Sequence, residues 1–192
     1  MKDNRCGQAA ALTEQQLDKL LRCAPSPKYR ALWAVQRWAA ARINESLQLR
    51  WASVRGGHIT FRRSTTKTKS TKQLQLSPRL AEELEQYRQA WAAAYGREPL
   101  PEDLLFPGRK GPDAGTPLTR AAADLALRQV TEGLGWYGVS THSFRRSTAQ
   151  NLLRQGVPLP TVQAVTGHKT LAGLGEYLKP SADEVAAALA LI

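Results

Sequence analysis

Cysteine, long apolar runs and a secretory leader are scarce or missing in this sequence of 192 residues. Its two cysteines, Cys6 and Cys23, are too few for a disulfide framework and stand in no metal-ligand spacing. The longest apolar run, from Val185 to Ile192, spans about eight residues, against the roughly 20 that a membrane helix requires. Residues 1–11 lack the apolar segment of a signal peptide. We therefore expect a protein of a reducing cytoplasm, with no membrane partner.

Acidic residues are absent from two long segments of the chain. None occurs between Glu45 and Glu82 or within residues 133–175, whereas these segments contain eight and four Lys or Arg residues, respectively. The rest of the chain is nearly balanced, so the two segments account for the net charge of +11 and an isoelectric point near 10.1. A surface without carboxylates does not repel phosphate, so the sequence favours a polyanion as partner.

Periodicity predicts an α+β fold, mostly helical, with one small antiparallel sheet. Residues 1–11 are predicted to be a disordered leader, and a capping box at Thr13 begins the first helix. Strand-like alternation at 58–63 and 73–76 predicts a β-hairpin with a basic tip. Further helices are predicted at about 28–41, 44–50, 80–96, 119–133, 142–155, 160–166 and 170–178, with a last helix after Ser181.

The C-terminal third contains residue types that can cleave a phosphodiester without a metal. Such a reaction needs guanidinium groups to hold the phosphate, a general acid for the leaving oxygen and a nucleophile. His142 and Arg145 are three residues apart on one predicted helix face. His168 follows a glycine, and Tyr177 comes nine residues later. Arg42, from the N-terminal half, would complete the set if the fold brings it close.

Three motifs resemble those of the tyrosine recombinases, also called phage integrases. The run from Ala41 to Trp51 resembles box I, in which an acidic residue follows an Arg by three positions. Residues 142–146, which begin His-Ser-Phe-Arg, resemble box II, and Thr-Gly-His at 166–168 followed by Tyr177 has the spacing of the family's third motif and nucleophile. The resemblance covers about residues 12–180, which it identifies as a tyrosine recombinase catalytic domain.

The resemblance implies site-specific DNA recombination by covalent catalysis, in integration or excision. Tyr177 would attack the scissile phosphate, giving a 3′-phosphotyrosyl link and a 5′-hydroxyl, while Arg42 and Arg145 would hold the phosphate and stabilise the transition state. His142 would assist proton transfer at the tyrosine, and His168 would hydrogen-bond a phosphate oxygen. The phosphotyrosyl bond conserves the energy of the cleaved backbone, so neither a nucleotide cofactor nor a metal is implied.

The family's remaining catalytic residue is a lysine at the hairpin tip, which acts as general acid. Counting back from the second strand predicts Lys69, whereas the Thr-Lys-Thr context favours Lys67. We take Lys69 as the prediction and leave the alternative open. Six further basic residues are predicted to contact DNA: Arg62, Arg63, Lys67, Lys72, Arg146 and Lys169.

The implied partners are double-stranded DNA and further recombinase subunits, which form a tetramer on paired sites in the family. Residues 181–192 are predicted to form a final helix, which either packs on its own domain or docks into a neighbouring subunit. Family members place an N-terminal DNA-binding domain before the catalytic domain, whereas about a dozen residues precede Thr13 here. We expect either a catalytic fragment or a truncated enzyme, encoded by a prokaryote or phage and working at the nucleoid.

Two other functions stay open on the sequence alone. The first is a DNA-binding regulator that has lost catalysis, although every catalytic position is filled. The second is a type IB topoisomerase, which relaxes DNA with a similar set of residues. One departure from the family pattern lies just before Arg42, where residues 39–41 are three alanines instead of the common Thr-Gly.

Overall fold

The computed structural model describes residues 9–62, 64, 71–175, 185, 186, 189 and 190. Helices make up most of this part of the chain, and the strands lie together in its first half. In chain order the elements are α1 (Glu14–Arg22), α2 (Pro27–Trp38), α3 (Ile43–Leu47), a 3-10 turn (Trp51–Ser53), β1 (Val54–Arg55), β2 (His58–Phe61), β3 (Lys72–Gln75), α4 (Pro78–Tyr95), a second 3-10 turn (Pro112–Ala114), α5 (Arg120–Gly133), α6 (Thr141–Arg154), α7 (Leu159–Thr166) and α8 (Leu171–Gly175).

Helix α2 lies at the centre of the main core. Its residues 31–37 are all buried, because α1, α3, α4 and α6 pack around it. A helix enclosed on all sides is expected to be apolar around its circumference, and α2 follows this rule except at its C-terminal end. There the buried Arg37 is neutralised by Glu14 at 2.5 Å and Asp18 at 2.6 Å, both on the α1 side of the helix.

The three strands form one antiparallel sheet in the order β1-β2-β3. In the β2–β3 register, Phe61 lies opposite Lys72 and His58 opposite Gln75. Ile59 and Phe61 point into the core from alternate positions of β2, as expected of a half-buried strand. Lys72 therefore lies at the loop end of the hairpin strands, beside a buried phenylalanine.

The predicted fold class is confirmed, and several element boundaries match the prediction. Thr13 caps α1 in a capping box with Gln16, and α4 buries Leu80, Leu84, Tyr87 and Trp91 as its core face. The helix predicted at 28–41 was too long, since α2 ends at Trp38. Ala40 has a φ of 46°, which no α-helix accommodates.

Both ends of the chain fall largely outside the described residues. This applies to residues 1–8 of the predicted leader and to the predicted start of the last helix at Ser181. Ala10 donates its backbone N–H to Gly138 O at 2.9 Å, which ties the chain to the loop before α6. No helix in the described part of the chain has the length and apolar character of a membrane span.

Candidate active site

The turn formed by residues 39–42 connects α2 to α3 and organises the site. Ala39 is the C-cap of α2, so Ala40 occupies the next position, where helices commonly end on a left-handed glycine. Ala40 takes this conformation although it is not glycine, and it is fully buried. The reversal carries the chain directly to Arg42, the N-cap of α3.

Arg42 is paired with the carboxylate three residues later. Its guanidinium donates to Glu45 Oε1 at 2.8 Å, and its backbone N–H donates to the other carboxylate oxygen at 3.1 Å. The Glu45 side chain is only 5% exposed, against 21% for Arg42. A buried carboxylate with two such bonds fixes the guanidinium and offsets part of its charge.

Arg145 reaches the same turn from the opposite side. Helix α6 packs against α2 through Phe144, which stacks on Trp33 with ring centroids 6.3 Å apart, and through Thr148, which donates to Arg37 O at 2.6 Å. The Arg145 side chain, whose residue is 1% exposed, then donates to Ala40 O at 2.8 Å. The left-handed turn therefore provides the carbonyl that holds this arginine.

Lys72 meets the turn from the hairpin. Its ammonium donates to Ala39 O at 2.8 Å and to Val165 O, near the end of α7, at 2.9 Å. Lys72 and Arg145 are thus bound by the carbonyls of two consecutive residues, Ala39 and Ala40. The sequence placed Lys72 among the DNA-contacting cations, whereas its ammonium is directed inward.

His168 follows the left-handed Gly167 that ends α7. The Thr166 hydroxyl lies 2.7 Å from Val162 O and donates its single proton to that carbonyl. His168 Nδ1 lies 2.8 Å from the same hydroxyl oxygen, and because the hydroxyl proton is already used, Nδ1 is the donor in this second contact. Gln163 holds the His168 carbonyl at 2.9 Å. The network therefore assigns the Nδ1–H tautomer to the neutral ring, which makes Nε2 an acceptor.

The three cations Arg42, Lys72 and Arg145 and the neutral His168, together named the cationic cluster, lie close enough to influence each other's ionisation. Burial, reinforced by Arg145, lowers the pKa of Lys72 to about 7, and Glu45 opposes this shift. Burial, followed by the charges of Arg145, Arg42 and Lys72, lowers the pKa of His168 to about 4. Burial is the larger cause of both shifts and the neighbouring cations add to it, so a bound anion would oppose both shifts by favouring the charged forms.

The structure thus brings together three of the six predicted catalytic residues, namely Arg42, Arg145 and His168. His142 lies exposed on the first turn of α6, three residues before Arg145. Lys69 and Tyr177 lie outside the described residues. Of the predicted DNA contacts, Arg62 and Lys169 are exposed and Arg146 is partly buried, while Arg63 and Lys67 lie outside the described residues.

Two members of the site were assigned no role from the sequence. Glu45 is the last carboxylate before the first acid-free segment, and its spacing of three from Arg42 on a helix start was a usable signal. Thr166 stands two residues before His168, where a hydroxyl can hold the ring. Within the described residues, no group of three or more His, Cys, Asp or Glu side chains could hold a metal ion.

Replacing Thr166 by Val is expected to change the tautomer of His168. Valine preserves the shape of the buried side chain but removes the oxygen that accepts the Nδ1 proton, so the neutral ring loses its preference for Nδ1–H. Long-range proton–nitrogen NMR spectra of the ring at pH 7.5 measure this directly. Thr161→Val, an exposed position on the same helix, is the matched control and should leave the spectrum unchanged. An unaltered tautomer in the Thr166 variant would contradict the assigned network.

Comparisons with known proteins identify the family of this chain. The model of the phage integrase family matches residues 10–184. Two Sinorhizobium fredii proteins named integrase/recombinase, y4qK and y4eF, are 30% and 29% identical to the chain; each alignment covers 92% of this chain, and 54% and 66% of the relative, respectively. The chain therefore spans between half and two thirds of the length of these relatives.

Solved structures of low sequence identity share the fold. The crystal structure of XerA recombinase superposes with a TM-score of 0.77 at 16% identity, covering 97% of this chain and 66% of that one. The XerH site-specific recombinase bound to its difH substrate gives a TM-score of 0.71 at 24% identity, covering 93% and 53%. Because the family model matches most of its length, the chain belongs to the phage integrase family.

Proposed function

We propose that this chain is the catalytic part of a site-specific DNA recombinase that cleaves and rejoins DNA through Tyr177. The observation that carries the proposal is the cationic cluster, which gathers residues from α3, the hairpin, α6 and the end of α7 around one turn. Glu45 pairs with Arg42 and acts electrostatically on Lys72, so one carboxylate accompanies the three cations Arg42, Lys72 and Arg145. Such an excess of buried positive charge is suited to a phosphodiester, whose charge increases in the transition state.

The proposed reaction exchanges one phosphate ester for another. The Tyr177 oxygen attacks the scissile phosphorus while the bond from phosphorus to the 5′-oxygen breaks, so the phosphate remains joined to the 3′ strand end and to the tyrosine. The tyrosine proton passes to His142, and a hairpin-tip lysine, Lys69 or Lys67, supplies a proton to the departing 5′-oxygen. Arg42 and Arg145 hold the non-bridging oxygens. A 5′-hydroxyl from a second strand reverses these steps and completes the exchange.

In this scheme His168 must take up a proton before it can donate a hydrogen bond to the phosphate. Because its Nδ1–H is directed to Thr166, the neutral ring offers only a lone pair at Nε2. A phosphate oxygen near Nε2 would raise the pKa of the ring from its value of about 4, since a nearby negative charge favours the imidazolium. His168 would then donate to the phosphate after taking up a proton as DNA binds.

The partners and location belong to the same proposal. XerH, a structural neighbour, was crystallised with a difH substrate, and the Tn1549 transposon integrase with circular intermediate DNA. For this chain we infer double-stranded DNA as substrate, with further copies assembled as a tetramer on paired sites and the last helix docked in trans. The exposed Arg62 and Lys169 are suited to backbone contacts. Such an enzyme would act in the cytoplasm, at the nucleoid.

Capture of a covalent protein–DNA adduct from a pool of random duplexes tests the proposal. The protein is incubated with duplexes that carry one nick and a randomised segment beside it. Because of the nick, cleavage releases a short fragment that carries the 5′-hydroxyl; this fragment diffuses away, so religation fails and the adduct accumulates. Complexes that survive denaturation are digested with trypsin and analysed by mass spectrometry. We expect the DNA on the peptide that begins at Thr170, in which Tyr177 is the single tyrosine. The linkage should be to a 3′-phosphate.

Other outcomes of this capture contradict the proposal in distinct ways. If the protein binds the duplexes non-covalently and forms no adduct even at protein concentrations that saturate binding, it would be a regulator that does not cleave DNA. If the protein forms an adduct and relaxes supercoiled plasmid but never joins two duplexes, it would be a topoisomerase. Linkage to another residue would exclude Tyr177 as the nucleophile.

A further inference from the structure

We propose that Lys72 is a positioning residue that joins the 39–42 turn to the end of α7, and so sets the spacing of Arg42, Arg145 and His168 around one anion. This inference rests on the proposed function for its role in catalysis. Its structural content, the effect of Lys72 on the site, can be measured without DNA. The sequence had placed Lys72 with the residues that contact DNA.

The contacts of the ammonium join segments that are distant in the chain. Ala39 O and Val165 O, from residues more than 120 positions apart, each accept a bond from Lys72 Nζ, at 2.8 and 2.9 Å. Ala40, the neighbour of Ala39, accepts from Arg145, and Val165 stands three residues before His168. Displacement of this one ammonium would therefore affect two of the groups proposed to hold the phosphate.

The side chain of Lys72 also contacts the sheet and the turn after α7. Its Nζ lies 5.0 Å from the centroid of the buried Phe61 ring, which is its cross-strand partner. On the other side, a Cβ built on Gly167 would approach Lys72 Cδ to 3.3 Å. The lysine thus fills the gap between the sheet and the turn that precedes His168, which differs from the exposed position expected of a DNA contact.

The charge of Lys72 and its bonding can be separated. The groups that face it are Arg42, Glu45, Arg145 and His168, and its pKa of about 7 means that both protonation states are populated near neutrality. A neutral amine retains two N–H groups, which is enough for Ala39 O and Val165 O. Positioning should therefore persist above this pKa, whereas a proton-donating role would not.

The test compares three variants of the full chain. Lys72→Met removes the ammonium and keeps an apolar stem, and Lys72→Arg restores donors for both carbonyls. Lys28→Met is the matched control, because Lys28 is also partly buried, has a lowered pKa and donates to a backbone carbonyl, Pro107 O, at 3.0 Å away from the site. Each variant is first compared by thermal unfolding, so that a loss of fold is recognised.

The first measurement is an NMR titration of the His168 ring in the absence of DNA. Since the Lys72 ammonium is one of the charges that lower the pKa of His168, its removal should raise that pKa. The Arg variant and the Lys28 control should leave it close to the parent value. This change reports the charge of Lys72, and its bonding is followed by the backbone amide signals of residues 40 and 166, next to the two carbonyls, which should shift in Lys72→Met and stay close to the parent in Lys72→Arg. Unshifted amides in Lys72→Met would overturn the inference, whether or not the protein cleaves DNA.

The second measurement is the rate of adduct formation on duplexes recovered by the capture experiment. We expect Lys72→Met to lower the rate at saturating DNA by about 10- to 100-fold with little change in Kd, and Lys72→Arg to recover most of it. A 5′-bridging phosphorothiolate supplies a leaving group that needs no proton. The defect should persist on this substrate; its rescue would instead identify Lys72 as the proton donor and overturn the positioning role. If even the parent protein forms no adduct, the proposed function fails and the NMR measurements without DNA alone decide the inference.

Discussion

Replacing Arg145 by Lys should lower the rate of adduct formation at saturating DNA by roughly 10²- to 10³-fold, the usual cost of losing one preorganised donor to a transition-state oxygen. The Arg145 side chain is buried and donates to Ala40 O at 2.8 Å, so one edge of the guanidinium is committed to the protein. A planar fork can make this bond and still present paired donors to phosphate, whereas an ammonium of equal charge cannot reproduce that geometry.

The measurement uses single-turnover kinetics with the captured duplex. Tyr177→Phe marks the level of no adduct, and Arg146→Lys, the next residue on α6, serves as the matched control. Arg146 is partly exposed and is assigned to DNA binding, so its variant should weaken affinity modestly and leave the saturated rate within about threefold. If Arg145→Lys reacted as fast as Arg146→Lys, Arg145 would not hold the phosphate.

Replacing Glu45 by Gln should destabilise the free protein by about 2–3 kcal/mol, slightly less than the full cost of breaking a buried ion pair because Arg42 is partly exposed. The substitution keeps the shape of the side chain but leaves Arg42 and Lys72 without the carboxylate that offsets their charges. For a chain of this length we expect the midpoint of thermal unfolding to fall by roughly 5–10 °C.

Anions provide a second readout for this variant. Inorganic phosphate should raise the unfolding midpoint of Glu45→Gln more than that of the parent, since a bound anion replaces the missing negative charge. Glu132→Gln is the control, because Glu132 pairs with Arg128 at 4.0 Å on the exposed face of α5 and should contribute little. Equal stability of the two variants, in chloride at the same ionic strength, would show that Glu45 does not offset the cationic cluster.

The fold was predictable where local signals and tertiary packing agree. The capping box at Thr13 and the apolar face of α4 were predicted correctly because each depends on neighbours three or four residues away. The end of α2 was not, because alanines favour helix and nothing local indicates that Ala40 reverses the chain. The reversal is stabilised by distant partners, Lys72 and Arg145, which bind the carbonyls of the turn.

In the candidate site, too, some features were predictable from the sequence and others depend on the fold. Motif spacing identified Arg42, Arg145 and His168, and the structure brings them to one place. The inward direction of Lys72 could not be predicted, because it depends on carbonyls contributed by Ala39 and Val165, which the fold alone makes neighbours. Composition predicted a basic surface, and the ammonium of one of its lysines, Lys72, is directed inward to backbone carbonyls.

The left-handed turn at Ala40 has a consequence for how this site can vary among related sequences. Its side chain is a single methyl group that takes part in no reaction, yet the position accepts very few residues. A β-branched or bulky side chain would be strained at a φ of 46° and would have no room in the buried surroundings. Glycine meets both demands at the lowest conformational cost. Natural variation should therefore be narrower at this chemically inert position than at the charged DNA contacts around it.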